Sequence, residues 1–187
     1  MKKNFGSKTW LYPMPVLIIA TYDENGIPDA MNAAWGGIAD DNQINICLSP
    51  EHKTVENLLK TGAFTVSLAD AKHASQCDYL GLVSANKEPD KIEKCGFHVT
   101  KSEFVNAPVI EELSFVLECK VISYDKKTCR LLGSIENVGI EENLCLEDGK
   151  IDVQALSPIT YDPINKDYLA IGKKAGKAFS DGKKYKD

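Results

Sequence analysis

Residues 44–68, INICLSPEHKTVENLLKTGAFTVSL, place a helical pattern between two strand patterns. The first five residues form an apolar run that stops at a Ser-Pro pair, and the last six alternate as a half-buried strand does. Between the two runs, Val55 and Leu58 recur at helical spacing, and Gly62 supplies the residue that commonly ends a helix. The stretch therefore predicts strand, helix and strand in close succession.

The polar residues at the junction of the first strand and the helix allow two interpretations. A helix N-terminus carries unpaired N–H groups and the positive end of the helix dipole, so it attracts an anion such as phosphate. Lys53 would add a charge, and Ser49 and Thr54 would add hydroxyl donors. Alternatively, Thr54 only caps the helix and Lys53 is solvated. The junction alone leaves both interpretations open.

The rest of the chain is rich in short strand patterns separated by turn residues. The Asn25-Gly26 pair predicts a hairpin because both positions accept a positive φ. Close strands without βαβα alternation predict a closed β-barrel with helices on its rim, as one mainly β domain over residues 1–187. The predicted strands cover 16–22, 28–38, 44–48, 63–68, 115–124 and 129–138. The predicted helices begin near Thr54, cover 71–80 after an Asp70 cap, and cover 89–96.

Composition excludes several classes of function. The 187 residues carry a net charge of −5 with a pI of about 5.3, which disfavours binding to nucleic acid. The apolar run at 16–20 follows two prolines and is too short for a signal or a membrane span. Six cysteines form neither a Cys-x-x-Cys pair nor a zinc pattern. We therefore expect a cytoplasmic protein with free thiols, no metal and no membrane contact.

Two further stretches are candidates for ligand contact. In PDAMNAAWGGIA, residues 28–39, small side chains would let a flat ring lie against the backbone of 32–35. The alternative there is a barrel kink filled by Trp35. In GLVSANKEPDKIEKCGF, residues 81–97, Lys91 lies at a second loop-to-helix transition, at the start of the helix predicted over 89–96. It would reach the same phosphate as Lys53, or it is an exposed lysine beside Asp90.

Five stretches, taken in chain order, resemble the flavin reductase-like family of FMN-binding split barrels that includes flavoredoxin. They are MNAAWGG, LSPEHKTVENLLKTGAFTVSL, YLGLVSANKEPDKIEKCGF, APVIEE and YLAIGKKAGKAFSDGK. The resemblance implies a mainly β, Greek-key split β-barrel with rim helices, which binds FMN at a homodimer interface. It places the flavin ring against Asn32, Ala33, Ala34 and Trp35. It places the phosphate near Ser49, Pro50, His52, Lys53, Thr54 and Lys91, with Ser84 and Asn86 close by.

The resemblance also implies a function. Electrons would pass from NAD(P)H through FMN to a small acceptor, which is a flavin, a metal chelate or a redox protein. No catalytic side chain is required, because the flavin carries the redox chemistry. Lys173 and Lys174 in the lysine-rich tail are either solvated or contact a second phosphate, such as that of a pyridine nucleotide. The alternatives are a flavoredoxin-type electron carrier with no nucleotide substrate, and a barrel that has lost FMN.

Overall fold

The structure is a computed structural model that describes residues 1–186. Antiparallel strands dominate this range, with four short α-helices and two 3₁₀ turns. The strands are β1 (Met14–Pro15), β2 (Leu17–Tyr22), β3 (Pro28–Ala33), β4 (Gly36–Asp40), β5 (Gln43–Cys47), β6 (Ala63–Leu68), β7 (Val99–Lys101), β8 (Pro108–Ile110), β9 (Phe115–Asp125), β10 (Arg130–Ile140), β11 (Ile159–Asp162) and β12 (Asp167–Ala170). The helices are α1 (Lys53–Thr61), α2 (Ala74–Leu82), α3 (Lys91–Lys94) and α4 (Val153–Leu156), and the 3₁₀ turns are Glu142–Leu144 and Asp181–Tyr185.

Seven strands form one curled antiparallel sheet in the order β3-β2-β6-β9-β10-β5-β4. Its two edges, β3 and β4, are consecutive in the chain and only Ala34 and Trp35 separate them. An extended chain spans at most roughly 3.6 Å per residue, so the two edges must approach within about 11 Å at this corner. The sheet therefore curls into a half-barrel.

The half-barrel is split, as the family resemblance implied. No hydrogen-bonded pair joins β3 to β4 in the part of the chain that the structure describes. The closed barrel expected from the strand spacing alone is wrong in this respect, because β3 and β4 remain the two edges of an open sheet. A three-stranded sheet, β1-β11-β12, and the β7–β8 pair complete the strands.

Two apolar clusters lie on opposite faces of β2. Ile19 packs inside the half-barrel with Phe64, Leu131 and Leu58 of α1, which covers the interior. Its neighbour Ile18 packs on the outer face, in the cluster that includes residues of α2 and α3. Successive strand residues point to opposite faces, so a strand buried on both faces needs an unbroken apolar run. This explains the continuous run at 16–20.

Several predicted elements need correction at their ends. The segment 28–38 is two strands, β3 and β4, rather than one. Helix α2 begins at Ala74 instead of residue 71, because the Asp70 side chain accepts a hydrogen bond from the N–H of His73 and holds a turn there. The Asn25-Gly26 hairpin is confirmed by the antiparallel pairing of β2 with β3.

Two further features concern membrane-spanning helices and disulfides. Within residues 1–186, no helix is both long enough and apolar enough to cross a membrane. All six cysteines carry free thiols.

Candidate functional site

A cleft of about 230 Å³ lies where the edge strand β3 meets the first turn of α1 and the last turn of α2. We call it the α1 cleft. It brings together side chains from four separate segments of the chain, which is typical of a ligand site. Its lining residues are Asp29, Met31, Asn32, His52, Lys53, Thr54, Leu80, Gly81, Leu82, Val83, Ser84, Ala85 and Lys91.

The first turn of α1 supplies the positive side of the α1 cleft. His52 occupies the N-cap position with an extended backbone, and no side-chain hydrogen bond caps the turn. Helix N-termini leave N–H groups unpaired, and these groups together with the helix dipole favour an anion. Lys53 stands beside them with 22% of its side chain exposed, and its Nζ is 3.6 Å from a carboxylate oxygen of Glu56. The turn can therefore bind a phosphate-sized anion.

Thr54 does not cap α1, so the capping interpretation is wrong. Its side chain is buried, and its Oγ1 donates a hydrogen bond of 2.6 Å to Oδ2 of Asp29 on β3. This contact joins the first turn of α1 to the edge strand. A hydrogen bond to an ionised carboxylate is about twice as strong as one between neutral groups.

Lys91 is buried rather than solvated, with only 2% of the residue exposed. Its Nζ lies 3.0 Å from Oδ1 of Asp29. The same ammonium donates to the backbone carbonyls of Val83 at 3.2 Å and Leu80 at 3.4 Å, near the C-terminus of α2. Lys91 therefore neutralises Asp29, and Lys53 remains as the cation of the α1 cleft without a buried counter-ion.

Asn32 lines the same cleft as Lys91 and packs directly against α2. A Cβ atom on Gly81 would be 3.0 Å from the Cβ of Asn32, so glycine allows this close approach. The side-chain Nδ2 of Asn32 donates to the carbonyl of Cys77 at 3.1 Å and to the hydroxyl of Tyr168 at 3.4 Å. Burial, and then the hydrogen bond to Asp78, raise the pKa of Tyr168.

The Ala34-Trp35 corner lies next to the α1 cleft and shares Asn32 with it. A shallow depression of about 190 Å³ is lined by Asn32, Ala34, Trp35, Tyr161 and Tyr168, and we call it the Trp35 depression. Trp35 is 55% exposed, so its ring does not fill the kink between β3 and β4. The small residues at this corner leave one face of the backbone open to a flat ligand.

The predicted site residues fall into three groups. The α1 cleft brings together Asn32, His52, Lys53, Thr54, Ser84 and Lys91, while Ala34 and Trp35 line the adjoining Trp35 depression. The others lie outside both linings: Ala33 packs against the barrel core, Ser49 is exposed, Pro50 is half-buried and Asn86 is exposed. The backbone N–H of Asn86 donates to Oγ of Ser84 at 3.3 Å, so Asn86 shapes the loop that carries Ser84.

Sequence reasoning missed three residues of this region. The sequence contained one indication for Asp29: an acid within an otherwise apolar strand requires a buried partner. Gly81 and Tyr168 lie in two of the stretches that carry the family resemblance, but the sequence did not indicate their contacts, which join parts of the chain that are far apart in sequence.

Comparisons with known proteins identify the fold and the family of the chain. A family model described as "Flavin reductase like domain" matches residues 9–156. The solved flavoredoxin of Desulfovibrio vulgaris (Miyazaki F) superposes with a TM-score of 0.93 at 33% identity, over 97% of this chain and 100% of that chain. Flavoredoxin from Methanosarcina acetivorans gives a TM-score of 0.86 at 28% identity, over 98% of each chain.

More distant relatives share the fold or part of the sequence. An FMN-binding domain of a flavin reductases-like enzyme from Shewanella baltica has a TM-score of 0.78 at 17% identity, over 87% of this chain and 88% of that chain. An uncharacterized protein of Aeropyrum pernix is 29% identical over 114 residues, which are 60% of this chain and 43% of that protein. The match thus spans less than half the length of that relative. With a family match over most of its length and a relative at 33% identity that it covers almost completely, the chain belongs to the flavin reductase-like family.

Proposed function

We propose that the chain binds FMN, with the phosphate in the α1 cleft and the flavin ring toward the Trp35 depression. The observation that carries this proposal is the first turn of α1, which has no side-chain cap and presents Lys53 to the cleft. The buried carboxylate of Asp29 would repel a phosphate, but Lys91 neutralises it at 3.0 Å. The residues present therefore fit a phosphate-bearing cofactor.

The fit extends to a flat ring. Ala34 contributes only a methyl group to the link between β3 and β4, and the exposed ring of Trp35 offers aromatic surface at the same place. Asn32 lines both the α1 cleft and the Trp35 depression, so one ligand can occupy the two. Together they suit a molecule with a phosphate at one end and a planar ring at the other.

We expect FMN rather than FAD. A pyrophosphate is commonly held by a G-x-G-x-x-G turn, and the sequence contains no such turn. The cofactor is released from purified protein by heat and identified by chromatography. Mainly FMN is the expected result, whereas mainly FAD, or no flavin from protein that has been incubated with FMN, contradicts the proposal.

The proposed activity is electron transfer from NAD(P)H to a small acceptor, namely a flavin, a metal chelate or a redox protein. Bound FMN supplies the hydride and electron chemistry. The chain's own residues bind and orient: Lys53 and the first turn of α1 would hold the phosphate, and Asn32 would hold one edge of the ring. No side-chain nucleophile or general base is assigned, since hydride transfer requires none from the protein.

A flavoredoxin-type electron carrier without a nucleotide substrate is the second candidate. It is favoured by the two flavoredoxins, which are similar to this chain over nearly its whole length. Anaerobic titration of the flavin-loaded protein with NADH and NADPH, followed by absorbance, separates the two candidates. Bleaching by either nucleotide supports the reductase, and bleaching only by dithionite supports the carrier.

The same proposal includes a homodimer in the cytoplasm. Leu11 and Trp35 are exposed apolar side chains that line one depression beside β4, and covering them would shield the ring site from water. Free thiols fit a reducing compartment. Light scattering should give about twice the chain mass of 20.6 kDa. A monomer that retains its flavin contradicts the dimer.

A further inference from the structure

The side-chain amide of Asn32 is held by two groups from distant parts of the fold. Its Nδ2 donates to the backbone carbonyl of Cys77 on α2 at 3.1 Å and to the hydroxyl oxygen of Tyr168 on β12 at 3.4 Å. The hydroxyl proton of Tyr168 is in turn donated to Oδ1 of Asp78 at 2.7 Å. We call these four residues the Asn32 clamp.

The chemistry of the Asn32 clamp fixes which way the amide faces. A backbone carbonyl has no proton to give, and Tyr168 has already given its only proton to Asp78. Both neighbours can therefore only accept, so the group that faces them must be the NH₂ of Asn32. The amide oxygen is left on the other side.

That oxygen is an open hydrogen-bond acceptor. No residue among 1–186 donates to it, and it is accessible to solvent rather than buried. Asn32 lines both the α1 cleft and the Trp35 depression. The acceptor is therefore available at the place where the two meet.

We infer that Tyr168 is a positioning residue for the amide of Asn32. By holding the NH₂ group, it leaves the amide oxygen as the acceptor that meets the ligand. The site therefore selects a ligand edge that donates a hydrogen bond. This inference rests on the proposed function, in which the ligand is FMN, and the dione edge of a flavin ring carries such an N–H donor. It also gives the C-terminal strand a role in the site, since Tyr168 lies beyond residues 9–156, which the family model matches.

Replacement of Tyr168 should loosen the amide without removing it. Tyr168→Phe deletes one of the two acceptors that hold the NH₂ of Asn32, while the Cys77 carbonyl remains. In this variant the ligand must order the Asn32 amide, which the wild type holds in place before the ligand binds. We expect FMN affinity to fall three- to tenfold and the visible spectrum of the bound flavin to shift.

The matched control is Tyr79→Phe. Tyr79 lies on α2, and its hydroxyl also donates to a carboxylate, that of Glu88, at 2.7 Å. Neither Tyr79 nor Glu88 lines the α1 cleft or the Trp35 depression. The control thus loses an equivalent hydrogen bond, and we expect its flavin affinity and spectrum to match those of the wild type.

The experiment has two readouts. Fluorescence quenching gives the FMN dissociation constant of each variant, and nuclear magnetic resonance of the flavin-free protein follows the side-chain NH₂ signals of Asn32. The inference requires Tyr168→Phe to move those signals and to weaken FMN binding. If Tyr168→Phe does not fold, the test uses Asp78→Ala, which removes the acceptor of the Tyr168 hydroxyl proton. The hydroxyl can then donate toward Asn32, so this variant must give the same two changes.

Two results would overturn the inference. One is unchanged FMN affinity and spectrum in Tyr168→Phe. The other is weakened binding with unmoved Asn32 signals, which would mean that Tyr168 touches the ligand directly. Failure of the wild-type protein to bind FMN would instead refute the proposed function, and the NH₂ signals would still report on the clamp.

Discussion

Oγ1 of Thr54 donates a hydrogen bond of 2.6 Å to Oδ2 of Asp29, so a hydroxyl at the start of α1 binds the edge strand β3. Lys91 contacts the other oxygen of the same carboxylate. The three residues are each at most 2% exposed, and their side chains fix α1, β3 and α3 relative to one another. The position of the α1 cleft therefore depends on a carboxylate that is itself buried.

Thr54→Val tests this contact. Valine keeps the shape of threonine but cannot donate, so one oxygen of a buried carboxylate loses its partner. We expect the free energy of unfolding to fall by about 1.5–3 kcal/mol in urea titrations. Thr54→Ser retains the donor and should recover most of the loss. Equal stability of the valine variant and the wild type would show that the hydrogen bond contributes nothing.

Lys91→Met tests the buried ion pair. Removal of one partner leaves Asp29 charged and uncompensated, so we expect a loss of about 3–5 kcal/mol of stability. The double variant Lys91→Met/Asp29→Leu removes both charges and should recover much of that loss. A single variant as stable as the wild type would contradict the pairing of Lys91 with Asp29.

Gly81→Ala has two opposed effects, a higher helix propensity and a closer contact with Asn32. Alanine in a helix is favoured over glycine by roughly 0.5–1 kcal/mol. The added Cβ would lie 3.0 Å from the Cβ of Asn32, so Asn32 must shift by a few tenths of an ångström. We expect urea titration to show stability at or above that of the wild type, while fluorescence titration shows weaker FMN binding. Unchanged FMN affinity would mean that Asn32 does not position the ligand.

Ala34→Val tests the place of the flavin ring. Ala34 lies in the link between β3 and β4 and lines the Trp35 depression, so a branched side chain would stand between ring and backbone. We expect an unchanged circular dichroism spectrum together with lower flavin occupancy or a shifted flavin spectrum. Loss of the fold would assign Ala34 a packing role, and unaltered FMN binding would move the ring elsewhere.

The sequence predicted what depends on local pattern and neighbouring residues. The continuous apolar run at 16–20 indicated a strand and is buried on both faces, and Asn25-Gly26 forms the expected hairpin. The split of the barrel at Ala34-Trp35 could not be derived from spacing, because spacing does not tell which strands pair.

The sequence indicated several residues of the site but not the long-range hydrogen bonds and ion pairs that join them. A threonine at the start of a helix has the same sequence signature whether it caps the helix or binds a distant carboxylate, and Thr54 does the latter. Lys91 beside Asp90 indicated either a solvated lysine or a phosphate ligand, and neither interpretation included its buried partner Asp29. Such long-range pairs are determined by tertiary packing, which a local pattern does not contain.

Titration of flavin-free protein with FMN, for the wild type, Lys53→Ala and Lys120→Ala, tests the central claim most directly. Lys120 lies on β9 and pairs with Glu136, and neither residue lines the α1 cleft, so Lys120 is the matched control. We predict that the wild type and Lys120→Ala bind FMN equally, and that Lys53→Ala binds it about ten- to a hundredfold more weakly, as the loss of a charge-assisted contact of roughly 1.5–3 kcal/mol implies. Equal FMN affinity of Lys53→Ala and Lys120→Ala, or no FMN binding by the wild type, would contradict the assignment of the phosphate to the α1 cleft.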